Sequence, residues 1–433
     1  MDEAQGRAAI RKATWRLVPF LFVLYVVAYL DRVNVGFAAL QMNAALGFNA
    51  AVYGLGAGIF FVGYFLFEIP SNLILQRVGA RFWIARIMIS WGLVAIAMAL
   101  VRNEPTFYGL RFLLGVAEAG FFPGVILYLT YWFPAEERAK TVALFMTAVA
   151  ISGVVGGPIS GLLLSLQGFG GLDGWHWLFV LEGLPAVLLG IVTLFYLPDG
   201  PRHASWLAPS EREWLEGRLA EERALLGPRA GHTLREAMSS GRVWLLCLVY
   251  LALVVGNYGL GFWLPQIIEG FGKLTDFQIG LISAIPYGIS AVGMVLIARH
   301  SDRTGERRWH VAGALAASAL GFVIASQLSG APLLALAALS LAAMGIMGSW
   351  GPFWSMPPAF LSGTAAASGI ALINAVGNLG GFFGPSIVGY VKNATQSFEG
   401  GLLALAGIVL LGGCLVLALR ASADSSVAEA VGG

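Results

Sequence analysis

The chain has 433 residues, 58% of them hydrophobic and only 12% charged, with a formal net charge of +2. A soluble globule carries about 25% charged residues, so this composition excludes an ordinary water-soluble enzyme. The near-neutral balance singles out no charged partner such as a nucleic acid. Cys247 and Cys414 both fall inside apolar runs and five histidines are scattered, so neither a disulfide framework nor a metal-ligand spacing emerges.

In chain order, Arg7, Arg11, Lys12 and Arg16 come first, ahead of an apolar run. That run is too long for a signal-peptide core, lacks a small-residue cleavage site and contains Asp31 and Arg32, so it is read as a retained first span. Twelve apolar stretches follow one another, roughly 17–38, 51–75, 82–101, 105–133, 138–166, 176–197, 243–268, 276–298, 309–328, 331–355, 363–392 and 398–420. Each supplies the ~20 residues that cross a ~30 Å hydrocarbon core at 1.5 Å per residue. Helices are the expected form, because lipid offers backbone amides no outside partner.

With a cytoplasmic N-terminus, twenty of the 26 Lys and Arg residues fall on cytoplasmic segments, Arg420 among them. Three lie in outer loops (Arg102, Lys273, Lys392) and three in spans (Arg32, Arg86, Arg111). This satisfies the positive-inside rule and places both termini in the cytoplasm. The long interruption at 198–242 divides the chain into a six-helix bundle over 1–197, a cytoplasmic linker and a second bundle over 243–433. Within the linker, 209–226 has the pattern of a surface helix, with Ser210 as its cap and Glu213 three residues on.

The halves resemble each other. RVGAR at 77–81 returns as RTGER at 303–307; Gly153, Gly157 and Pro158 return as Gly380, Gly384 and Pro385; Asp31 falls against Asn257. Such repeats are expected to hold a substrate near the membrane midplane. The glycine-rich segments 152–161 and 377–385 suit close helix packing or a flexing role.

Charges inside spans cost about 2.5–3.5 kcal/mol on insertion scales and mark functional positions. Asp31 and Arg32 are adjacent and diverge by about 100° on a helix, so each needs a partner elsewhere in the bundle. Arg111 and Glu118 are seven apart on one helix face, and an interleaved network of all four is the expected arrangement. Two carboxyls in a low-dielectric cavity can take up and release protons, and arginine offers a planar fork to a carboxylate. The set reads as proton sites plus an anion anchor. Glu68 and Glu182 read as structural or gating elements. Tyr64, Trp354, Asn374 and Asn378 are further polar or aromatic candidates for the cavity wall.

The RxGxR loops after spans 2 and 8 resemble the signature of the major facilitator superfamily, with Gln76 standing where an acid is expected before Arg77. More narrowly, YLDRVNVGFA (29–38), FFVGYFLFEIPSNLIL (60–75), RFLLGVAEAGFFPGVILYLTYWFP (111–134) and FVLEGLPAV (179–187) resemble the anion:cation symporter family, its tartrate-transporter branch in particular. That resemblance implies an all-α fold of twelve transmembrane helices in two pseudo-symmetric bundles. It implies proton coupling at Asp31 and Glu118, tuned by Arg111, and substrate binding by Arg32 with Tyr64, Trp354 and Asn374; Asn378 is a neighbour on the same face. Glu68, Arg77, Arg81, Asp302, Arg303 and Arg307 are the gating and structural set. The expectation is a monomeric, proton-coupled importer of tartrate or a related hydroxy or sugar acid in the bacterial inner membrane, needing no cofactor beyond the proton. An aromatic-acid importer and an organic-anion exchanger are the alternatives; 153–161 is similar to an antiporter pattern. No catalytic constellation points to an enzyme.

Overall fold

The computed structural model describes residues 3–225, 238–328, 330–360 and 363–419. Arg420, the chain end and 226–237 of the linker lie outside them. Among the described residues, twelve helices are long and apolar enough to cross a membrane. They are span 1 (Gln5–Leu46), span 2 (Ala50–Val78), span 3 (Ala80–Leu100), span 4 (Glu104–Thr130), span 5 (Ala135–Leu164), span 6 (Gly174–Tyr196), span 7 (Gly241–Glu269), span 8 (Asp276–Thr304), span 9 (Arg308–Gln327), span 10 (Pro332–Trp354), span 11 (Gly369–Thr395) and span 12 (Glu399–Ala418). The twelve apolar stretches of the sequence are thus twelve helices. Span 1 begins well before its apolar run, because a helix has no reason to stop where lipid does: Gln5 to Arg16 continue the same backbone hydrogen bonding.

The chain forms two compact units. In the first, the described residues of Met1–Arg229 associate with Gly261–Ile285; in the second, those of Ala230–Leu260 associate with Pro286–Gly433. In the first unit span 3 packs along span 6, span 2 along span 4 and span 1 along span 5. In the second, span 9 packs against spans 10 and 12, and span 11 against span 12.

The glycine-rich segments are crossing points. A Cβ on Gly157 would run into the carbonyl of Gly280, and one on Gly384 would meet the Gly259 nitrogen at 2.8 Å. Without a hydrophobic drive between helices in lipid, such backbone contact supplies the association.

The linker helix (Pro209–Leu225) starts two residues earlier than a cap at Ser210 implies, so Ser210 lies inside it. The Glu211 carboxylate instead accepts the N–H of Ala208 at 2.9 Å. This helix is held to the first unit by Lys12–Glu211 at 2.8 Å, Arg138–Glu222 at 2.8 Å and Arg218–Glu136 at 2.7 Å.

Candidate functional site

Span 1 places Asp31 and Arg32 in the last helical turn before its interruption at Asn34, and they turn to different neighbours, as their 100° separation requires. Asp31 is 1% exposed; its Oδ2 accepts the indole N–H of Trp91, from span 3, at 2.8 Å, and its Oδ1 is buried without a partner. Arg32 is half-buried and donates to Glu118 of span 4 through Nε at 3.1 Å and through Nη2 as well. Its guanidinium lies 5.3 Å from the ring centre of Tyr64 and 5.6 Å from that of Phe60. Loss of one partner from such a pair would strand a buried charge, at a cost of about 3–5 kcal/mol.

Glu118 owes its position to a break in span 4. The helix stops at Glu118, Ala119 takes ψ 130°, and Gly120 is left-handed at φ 85° before the helix resumes at Phe121. A side chain at Gly120 would collide with Ser71, and one at Gly115 would run into the carbonyl of Phe60, so span 4 lies directly on span 2 here. Milder interruptions fall at Asn34, three residues after Asp31, and at Leu379, next to Asn378, both with helical backbone angles. All three interruptions adjoin polar residues nominated from the sequence. Discontinuous membrane helices are a common way for transporters to bring polar groups to a buried site.

The interleaved four-membered network is not formed. Arg111, fully buried, donates from Nε to the Gly56 carbonyl at 3.2 Å and from Nη2 to the Ala57 carbonyl at 2.9 Å, and stands over Phe60 at 5.1 Å. Two turns of span 4 separate it from Glu118, too far for direct pairing, and the carbonyls of span 2 are nearer.

In the second unit, Trp354 meets Tyr250 of span 7 edge-on at 4.8 Å, and Phe353 stacks on the same tyrosine at 5.3 Å. Asn374 and Asn378 are half-buried on one face of span 11, with Gly377 between them packed on Tyr250. Tyr250 was not nominated from the sequence. Its signal, an aromatic with a polar tip deep in a span, is the one that singled out Tyr64.

Among the gating candidates, Glu68 is 7% exposed, while Arg77 and Arg303 are exposed. Arg307 pairs with Asp302 at 2.6 Å across the loop after span 8. In the first copy, where Gln76 lacks a charge, an acid comes from elsewhere: Asp199, beyond span 6, accepts the Arg81 backbone N–H at 2.9 Å and lies 3.8 Å from its Nε. Periodicity carries no sign of a partner 118 residues away.

Residues 21–385 match the Major Facilitator Superfamily. The chain is 54% identical over 417 residues, 96% of both proteins, to one from Agrobacterium vitis named "Putative tartrate transporter". It is 44% identical to the "Quinolone resistance transporter" of Acinetobacter baumannii, over 98% of this chain and 97% of that one. Among solved structures, a bacterial homolog of the human lysosomal transporter Spinster, inward-facing and occupied, superimposes with a TM-score of 0.78 at 16% identity, covering 93% of this chain and 96% of the other. That likeness concerns the fold alone. As its loop motifs implied, the chain belongs to the Major Facilitator Superfamily and is a membrane transporter rather than an enzyme.

Proposed function

We propose that the protein is a proton-coupled importer of a small organic anion, tartrate or a related hydroxy or sugar acid. It works as a monomer in the bacterial inner membrane, with both termini cytoplasmic. The observation that carries this reading is the Arg32–Glu118 pair beside Tyr64. A substrate carboxylate and the Glu118 carboxylate compete for one guanidinium. A proton on Glu118 removes the competitor, so anion and proton bind together more tightly than either does alone, which is a coupling free energy. Asp31 next to Arg32 is the second proton carrier, and Arg111 biases Glu118 from a distance. Tyr64 offers a hydroxyl to the substrate. Trp354, Asn374 and Asn378 of the second unit are further proposed ligands. The relatives named for tartrate transport support the choice of cargo.

A second reading takes an aromatic acid as cargo. It is favoured by the Tyr250, Phe353 and Trp354 cluster, whose faces suit a planar ring.

The test is uptake of labelled tartrate into proteoliposomes, with and without an inward proton gradient, for wild type and Asp31→Asn. Gradient-driven accumulation that Asp31→Asn abolishes, with counterflow intact, supports the reading. Uptake indifferent to pH in both proteins replaces symport with exchange. No uptake of tartrate, with uptake of an aromatic acid, moves the assignment to the second reading.

A further inference from the structure

Around the loop between spans 8 and 9 stand two histidines and a glutamate that the mechanism above does not use. His300, near the end of span 8, and His310, the third residue of span 9, meet with Nδ1 of the first 2.7 Å from Nε2 of the second. The other nitrogen of His310, Nδ1, lies 3.6 Å from Glu306 Oε2 and completes no hydrogen bond. Glu306 is itself held in place. Its Oε1 accepts the N–H of Arg308 at 3.1 Å and its Oε2 that of Trp309 at 2.7 Å, so a carboxylate caps span 9 where the helix dipole favours negative charge.

The remaining charges of this corner are engaged with other groups or turned to solvent. Asp302 and Arg307 pair with each other at 2.6 Å. Arg308 donates to the Leu417 carbonyl of span 12 at 2.7 Å, and Arg299 and Arg303 are exposed. Span 12 adds only the exposed Cys414 thiol, and span 10 ends on the uncharged Phe353 and Trp354.

A contact of 2.7 Å between two ring nitrogens needs one donor and one acceptor. Which ring donates is set by the hydrogen on the far nitrogen. The Glu306 charge favours a proton on Nδ1 of His310, which leaves its Nε2 as the acceptor and makes His300 Nδ1–H the donor. A proton from water can then enter only at Nε2 of the exposed His300. That step turns the donor into a cation, and charge-assisted hydrogen bonds are about twice as strong as neutral ones. A second proton would have to enter at Nε2 of His310, breaking the bond and setting two cations side by side.

We propose that His300 and His310 form a one-proton clamp between spans 8 and 9, which tightens as the medium at that face acidifies and stiffens the loop bearing the second RxGxR motif. The proton comes from water, binds His300 Nε2 and returns to water; no other covalent bond changes. In a transporter that carries protons in with its cargo, the clamp slows uptake once the receiving compartment turns acidic. That consequence rests on the proposed function, whereas the clamp itself does not.

The test is nitrogen NMR of the full chain, labelled at its histidine rings, in detergent without substrate. Wild type, His300→Phe and His310→Phe are titrated from about pH 8 to about pH 5.5, the range in which histidine changes charge. In wild type, His310 keeps its proton on Nδ1 and none on Nε2, while His300 alone becomes doubly protonated. In His300→Phe nothing bars Nε2 of His310, which then takes up a proton in the same range. Hydrogen exchange at 304–310, corrected for its own pH dependence, slows about fivefold in wild type as His300 charges, and in neither variant. His300 is exposed, so His300→Phe serves if His310→Phe does not fold. Two doubly protonated rings in wild type at about pH 5.5, or the wild-type change of exchange in both variants, overturns the clamp. In proteoliposomes, acidifying the compartment that the loop faces slows uptake more in wild type than in either variant; equal slowing overturns the regulatory half of the proposal. A one-proton titration in a chain that carries neither tartrate nor an aromatic acid would sink the proposed function and leave the clamp standing.

Discussion

Arg32 and Glu118 stand 86 positions apart in the chain and meet through Nε and Oε1 at 3.1 Å. If the pair couples proton to anion, Glu118→Gln leaves Arg32 an acceptor but no competing charge. Substrate binding then loses the part of its pH dependence that Glu118 supplies, and gradient-driven accumulation is lost. Arg32→Lys gives up the planar fork and a charged hydrogen bond worth about 1.5–3 kcal/mol, so binding weakens about tenfold or more. Titration calorimetry with tartrate reads both; wild-type affinity in Arg32→Lys would remove Arg32 from the site.

Gly120 carries the break that positions Glu118. A Gly120→Ala chain must hold an L-residue at φ 85°, costing about 1–2 kcal/mol, and its Cβ must displace the Ser71 hydroxyl, which accepts the Trp83 indole N–H at 3.0 Å. The expected result is a lower melting temperature in detergent together with weakened tartrate binding. An unchanged melting temperature would mean that the break tolerates a side chain and is not held by this glycine.

The spans were legible because lipid imposes one demand along the whole sequence, about twenty apolar residues at a time. The identities of Asp31, Arg32 and Glu118 were equally plain, since a charge stands out against that background. Their partners were not. Trp91 lies 60 positions from Asp31, and a tryptophan in a span usually reads as an interfacial anchor. Its place in the middle of span 3 was the available signal, because a buried indole N–H there needs an acceptor. Arg111 misled for a related reason: its shared face with Glu118 pointed to a network interleaved with Asp31 and Arg32, yet the close approach of span 2 at Gly115 put backbone carbonyls within reach first.

The linker helix carries a pH dependence of its own. The hydrogen bond from Lys12 holds the Glu211 carboxyl below the usual glutamate range, against burial and with help from the Ala208 N–H. A depressed folded-state value means stabilisation that is complete above the ordinary value of about 4.3 and is lost as pH falls through the lower one. The attachment of the linker helix to the start of span 1 is therefore intact at neutral pH and loosens below about pH 4. Lys12 is half exposed, so Lys12→Ala costs only about 0.2–1 kcal/mol. Hydrogen exchange at 209–225 should speed up in that variant at neutral pH; equal rates would assign the attachment to Arg138, Arg218 and the packing of Trp214 on Gly6.

Asp199 stands in for the acid that the sequence lacks before Arg77. It caps the start of span 3 through the Arg81 N–H and faces the Arg81 side chain, both groups being partly exposed. These two tasks separate by mutation. Asp199→Ala removes the cap and the charge, and should destabilise by about 0.5–2 kcal/mol. Asp199→Asn retains an oxygen for the N–H, so its melting temperature should stay close to wild type. If the ion pair with Arg81 also serves gating, Asp199→Asn slows tartrate uptake while binding affinity holds. A normal uptake rate in Asp199→Asn would leave Asp199 with capping alone, and would show that the first RxGxR loop works without the charge pair that its copy at Asp302 and Arg307 retains.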